Sequence, residues 1–144
     1  MIVLAWNCRG MGFASAVRSL TDGVKARNPM VVFLAETKAG LRRIKGLQKK
    51  LEFTQGIVVP SDGRREGLAM LWREGKKVTF KSCSHSHIDA VVCEEENGKN
   101  WRAIGFYGHP DARMRFNSCE LIKMLHAQAS LPLVIFGDFN DSSS

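Results

Sequence analysis

The sequence predicts a mixed α/β layered fold. Three observations carry the prediction. The chain opens with two short apolar runs, each followed by a segment of helical periodicity. Its middle holds five successive strand-like segments. It closes with one more helical segment and a last apolar run. A length of 144 residues fits one domain, and 44% hydrophobic with 24% charged residues fits an ordinary soluble globular chain. The apolar runs 30–35 and 131–136 fall far short of the roughly 20 residues that cross a bilayer, so no membrane association is expected.

Taken in order, Ile2 to Trp6 reads as a buried strand, and a glycine-containing loop follows over 7–12. Ser15 is the expected cap of a first helix, because Val17, Leu20 and Val24 then recur at helical spacing. Asn28-Pro29 ends that helix, since a residue before proline is pushed out of the helical region. Met30 to Ala35 is a second, wholly apolar strand. Leu41, Ile44, Leu47 and Leu51 mark a second helix with a basic outer face. Strands are expected at Gln55–Val59, Leu68–Trp72, Val78–Ser82, Ile88–Cys93 and Trp101–Tyr107, with Glu96-Asn97-Gly98 as a hairpin turn. Leu121, Met124 and Leu125 mark a third helix over about 112–129. Pro132 to Phe136 is the last strand, and 141–144 is a short polar tail.

The net charge of +7 is local. Between Arg42 and Lys81 there are eleven basic and four acidic residues, and the remainder balances. Such a block suits a polyanionic partner, although an ordinary solvated surface would also carry it. Cys8, Cys83, Cys93 and Cys119 form no C-x-x-C pair and read as reduced thiols. With no charged start and long apolar stretch, no secretory signal is read, and an intracellular setting, nuclear or cytoplasmic, is expected.

The polar residues cluster where strands end. The first apolar run ends at Asn7, the second at Glu36, the strand after the hairpin at Tyr107 and His109, and the last at Asp138 and Asn140. In open α/β sheets ligands bind beyond the carboxyl ends of strands. If these ends meet, two carboxylates face two amides, a phenol and an imidazole, a donor set for a hard cation such as Mg²⁺ rather than for structural zinc. Helix caps and Asx turns also place such residues after strands, but four ends together favour a site.

Five segments extend the pattern: Trp6-Asn7-Cys8-Arg9-Gly10-Met11-Gly12, Leu34-Ala35-Glu36-Thr37-Lys38, Gly67-Leu68-Ala69-Met70-Leu71-Trp72, Gly105-Phe106-Tyr107-Gly108-His109-Pro110 and Gly137-Asp138-Phe139-Asn140. In this order they resemble the endonuclease/exonuclease/phosphatase superfamily, and within it most closely the endonuclease domain of plant LINE-type (non-LTR) retrotransposons. The resemblance runs over 1–140. It implies a four-layer α/β sandwich, two mixed sheets face to face with helices outside, and a Mg²⁺-dependent phosphodiesterase or phosphatase, with Mn²⁺ as a substitute ion. It implies that Glu36 binds the metal and that Asn7 orients that ligand and the metal-bound water. It implies that Asp138 positions or activates water, that Asn140 and Tyr107 hold phosphate oxygens, and that Arg9, Lys38 and His109 contact nucleic acid. DNA is the implied partner, and no obligate protein partner is inferred.

The family pattern continues beyond Gly-Asp-Phe-Asn to a Ser-Asp-His motif that His85, His87 and His126 do not match. The resemblance therefore implies a domain truncated on its C-terminal side, poorly soluble or partly molten alone, with little or no nuclease activity. A second glycine is also expected where Glu66 precedes Gly67. Three other readings stand beside it. One is a non-catalytic basic nucleic-acid-binding remnant using the 42–81 block. Another is a phosphatase for a small phosphate ester. The last is a structural zinc module, because Cys83, His85 and His87 would share one strand face with Cys93 nearby.

Overall fold

The computed structural model describes residues 3–8, 13–61, 67–94, 98–107 and 133–138. The chain divides into two compact units, Met1–Lys76 and Lys77–Ser144.

The first unit is built on strands β1 (Val3–Asn7), β2 (Val31–Ala35), β3 (Gln55–Val59) and β4 (Leu68–Trp72), with helices α1 (Phe13–Arg27) and α2 (Leu41–Leu51). The sheet order is β1-β2-β4-β3, with β1 parallel to β2 and both β2 and β3 antiparallel to β4. Every residue of β2 and of β4 is buried, which is why these segments read as unbroken apolar runs instead of alternating ones. Leu20 and Val24 of α1 and Ile44, Leu47 and Leu51 of α2 pack with Leu4, Val32, Leu34, Ala69, Leu71 and Phe53 in one core.

Helix ends follow the local sequence. The Asn28 N–H donates to the Val24 carbonyl at 2.8 Å, and Asn28 takes a φ of 45°, so the left-handed residue ahead of Pro29 closes α1. At the end of α2, Glu52 adopts a φ of 63° while its N–H and that of Phe53 reach back to Lys49 and Gln48. The start of α1 differs from expectation. The helix begins at Phe13, so Ser15 lies within the first turn and is exposed. Ala14 and Ala16 are strong helix formers, and they draw the first turn ahead of the serine.

The second unit carries β5 (Lys77–Cys83), β6 (His87–Cys93), β7 (Asn100–Tyr107) and β8 (Leu133–Asp138) in the order β5-β6-β7-β8. The first three are antiparallel neighbours, and β8 lies parallel to β7. The register shifts between Phe80 and Ser82, where Lys81 is the extra residue of a bulge. Glu94 and Lys99 pair across the β6–β7 turn, in which Gly98 takes a φ of 67°. The last strand runs two residues past the expected Phe136. The third helix expected over 112–129 and the tail at 141–144 lie outside the described residues.

Candidate active site

The expected site residues divide between the two units. In the first, the β1–β2 ladder ends with Asn7 opposite Ala35, and the Cys8 N–H extends it by donating to the Ala35 carbonyl at 3.0 Å. Asn7 thus stands beside the residue that precedes Glu36. The chain leaves β2 through Glu36 and Lys38, both left-handed at φ 53° and 49°. Such backbone is uncommon for side-chain-bearing residues and concentrates at functional positions. Glu36 is 3% exposed, a degree of burial rare for a carboxylate, and Thr37 is buried beside it. Lys38 turns outward into solvent.

The rest of the unit fixes this loop. The Thr37 N–H donates to the Gly67 carbonyl, the Thr37 hydroxyl accepts from the Ala39 N–H, and the Ala39 carbonyl accepts from the Ser61 N–H. Gly67 is required where it is. Its φ is +85°, and a Cβ there would lie 2.5 Å from the Thr37 hydroxyl oxygen.

Electrostatically, the loop favours the thiol form of Cys8. Burial, and then the negative charge of Glu36, push the Cys8 thiol up to about 11. At that value the Cys8 thiol is protonated near neutral pH and a poor nucleophile. Next to it stand oxygen donors, a buried carboxylate with an amide beside it, the donor type of a hard divalent cation that keeps several waters. Among the described residues no three His, Cys, Asp or Glu side chains converge on one point.

In the second unit Tyr107 and Asp138 are register partners at the carboxyl ends of the parallel pair β7–β8. Tyr107 is buried, and its N–H donates to the Ser86 carbonyl at 2.8 Å, which ties the β5–β6 turn to the end of β7. Arg9, His109 and Asn140 lie outside the described residues.

Two residues of this unit, Asp89 and Arg102, escaped the sequence reading. Asp89, fully buried in β6, accepts from Nε of Arg102 at 2.9 Å and from its Nη2, and this bond raises the guanidinium above its ordinary value. A carboxylate inside Ile88-Asp89-Ala90-Val91-Val92 was itself the signal, because a charge within a buried strand needs a partner. In His87, Nε2 and Nδ1 meet the hydroxyls of Ser82 and Ser84 at 2.9 and 2.6 Å. This corrects the zinc arrangement: Cys83 ends β5, His85 lies in the turn and His87 begins β6, so the three share no strand. The free cysteines are Cys8, Cys83 and Cys93 among the described residues.

Comparisons with known proteins agree with this architecture. The structure of the human Nocturnin catalytic domain with bound sulfate matches at a TM-score of 0.68 and 17% identity, over 99% of this chain and 64% of that one. The mannosyl-6-phosphatase of Bacteroides thetaiotaomicron matches at 0.64 and 17%, over 99% and 66%. D. rerio TDP2 complexed with a single-strand DNA product matches at 0.70 and 14%, over 96% and 60%. The chain thus spans less than two thirds of the length of each, and at such identities the likeness establishes the fold alone. No curated protein matches the chain. No helix among the described residues is long and apolar enough to cross a membrane. The sequence itself decides the family. Residues 4–144, from the first strand through the Gly137-Asp138-Phe139-Asn140 segment, match one family throughout, and the chain belongs to the endonuclease/exonuclease/phosphatase family.

Proposed function

We propose that this chain carries the chemistry of a Mg²⁺-dependent phosphodiesterase that nicks DNA, of the LINE-type retrotransposon endonuclease class. The observation that supports it most is Glu36, a carboxylate 3% exposed, held in left-handed backbone at the carboxyl end of β2. Enzymes of this family generally depend on a divalent metal. Glu36 would hold Mg²⁺, or Mn²⁺ in its place, and Asn7 would orient that carboxylate. When bound, the ion supplies neutralisation of phosphate charge and Lewis acidity. Asp138 positions the attacking water and accepts its proton. Tyr107 and Asn140 donate hydrogen bonds to the phosphate oxygens, where charge grows in the transition state. Water oxygen bonds to phosphorus, one P–O ester bond breaks, and the leaving oxygen takes up a proton. Arg9, Lys38 and His109 contact the DNA backbone.

The order of the five segments supports the retrotransposon class, and the net charge of +7 supports a nucleic-acid substrate. The TDP2 complex with a DNA product supports DNA, whereas the mannosyl-6-phosphatase favours a small phosphate ester as the second reading. Supercoiled plasmid and a phosphomonoester, each assayed in Mg²⁺ and in EDTA, separate the two. Slow conversion of plasmid to the open-circular form in Mg²⁺ alone is expected, at the low rate that the unmatched Ser-Asp-His motif implies. Hydrolysis of the phosphomonoester without nicking would transfer the assignment to the second reading.

A further inference from the structure

We propose that His87 is a positioning residue for Tyr107, acting through the turn between β5 and β6. The proposal rests on the reading of Tyr107 as a group that holds phosphate, and it names what holds Tyr107 in place. Tyr107 ends β7, with Asp138 of β8 as its register partner on one side. On the other side its N–H donates to the Ser86 carbonyl at 2.8 Å, one step beyond His87–Phe106, the last register pair of β6 and β7. The site end of β7 is therefore fastened to Ser86, which belongs to the turn 84–86 and not to a strand.

A turn fixes an acceptor only as well as the turn itself is fixed, and His87 fixes this one. The ring is buried, with Nε2 at 2.9 Å from the Ser82 hydroxyl and Nδ1 at 2.6 Å from the Ser84 hydroxyl. The Ser84 hydroxyl also accepts from the Ser86 N–H at 3.0 Å, and the Ser84 N–H donates to the His87 carbonyl at 2.9 Å. Every proton is used when Ser84 donates to Nδ1 and Nε2–H donates to Ser82. One ring thus holds both β5 and the turn, and Ser84 relays that hold to the backbone of Ser86. The bulge in β5 makes the arrangement possible. Before Lys81 the ladder pairs Phe80 with Ala90, and after it Ser82 with Asp89 and Cys83 with Ile88. The extra residue brings Ser84 opposite His87, with Ser82 two residues earlier on the same face; without it Cys83 would stand there. Stability alone does not account for the network. Hydrogen bonds to a buried polar group roughly offset the cost of taking it out of water, so an apolar residue would close the hairpin about as well. What the network adds is one defined geometry, at the end of the strand that carries Tyr107.

Tyr107 is the one tyrosine of the chain, so labelling with 3-fluorotyrosine gives a single fluorine resonance that reports on it alone. The test compares the labelled full chain as wild type, Ser84→Ala, Ser84→Thr and His87→Leu, with urea melts alongside. In Ser84→Ala and His87→Leu the resonance is expected to shift or split. In Ser84→Thr, which keeps the hydroxyl, it is expected to return to the wild-type position. Plasmid nicking by Ser84→Ala is expected to lose about ten-fold to a hundred-fold in kcat, with KM within about two-fold of wild type. Should Ser84→Ala fail to fold, His87→Leu decides by the same readings. An unchanged resonance in the folded variants would overturn the proposal, because a mere staple of the hairpin lowers the melt without moving Tyr107. A displaced resonance with kcat intact would overturn it too. A displaced resonance in a chain that nicks no plasmid even as wild type supports the hold of His87 on Tyr107 while removing the assigned chemistry.

Discussion

Replacing Gly67 with alanine tests how the loop bearing Glu36 is held. Two penalties follow from the geometry. At φ +85° a residue with a Cβ is strained by about 1–2 kcal/mol. The new Cβ would also lie 2.5 Å from the Thr37 hydroxyl oxygen and 3.1 Å from the Ser61 nitrogen. Overpacking of this kind costs about 1–3 kcal/mol. Gly67→Ala should therefore destabilise the chain by about 2–5 kcal/mol, a large share of a total stability near 5–15 kcal/mol. The two penalties are separable, because Thr37→Ala removes the hydroxyl and leaves the backbone unchanged. In that background Gly67→Ala should cost about 1–2 kcal/mol, a coupling of about 1–3 kcal/mol between sites in contact. Urea unfolding followed by circular dichroism on the four proteins of the cycle measures both quantities. Equal costs in the two backgrounds, or a Gly67→Ala protein within about 0.5 kcal/mol of wild type, would refute the argument that Gly67 is chosen for its close approach to Thr37.

Other outcomes follow from the same structure. Arg102→Met strands the fully buried Asp89 and should cost about 3–5 kcal/mol in urea unfolding, with most of the loss recovered by adding Asp89→Leu. Cys8, its thiol pushed up to about 11, should resist iodoacetamide at pH 8 in the native chain, while exposed Cys83 is alkylated first by mass spectrometry. Burial holds His87 below its ordinary value of 6.5, so the unfolded chain binds the proton more readily. The stability from neutral His87 is then complete above 6.5 and falls as pH drops toward the folded value. Melting temperatures at pH 7.5 and 5.5 should differ less in His87→Gln than in wild type.

How much of this was legible depended on how local the determinant was. β2 and β4 were readable from sequence because burial on both faces leaves an uninterrupted apolar run, and Asn28-Pro29 gave the end of α1 outright. Glu36 was marked by its place after such a run, but its left-handed backbone and burial come from the contacts of Thr37, Gly67 and Ser61, which are distant in sequence. The Asp89–Arg102 pair spans thirteen residues and depends on strand register, which spacing alone does not supply. Cys83, His85 and His87 alternate like a strand, yet Ser82 and Ser84 satisfy the His87 ring where β6 begins. The basic block from 42 to 81 holds cations in different settings. Arg73 stacks on the Phe53 ring at 4.9 Å, whereas the exposed cations of α2 form a face.

The central claim is that Glu36 holds the divalent ion of a DNA-nicking site. Its most direct test is the initial rate of plasmid nicking by wild type and Glu36→Gln across rising Mg²⁺, with EDTA as the blank. The substitution keeps the size of the side chain and removes its charge. The account predicts slow nicking by wild type that EDTA abolishes, and a further loss of about 100-fold or more in Glu36→Gln that added Mg²⁺ recovers only in part. Nicking that persists in EDTA, or a Glu36→Gln rate within about two-fold of wild type at every Mg²⁺ concentration, would contradict it.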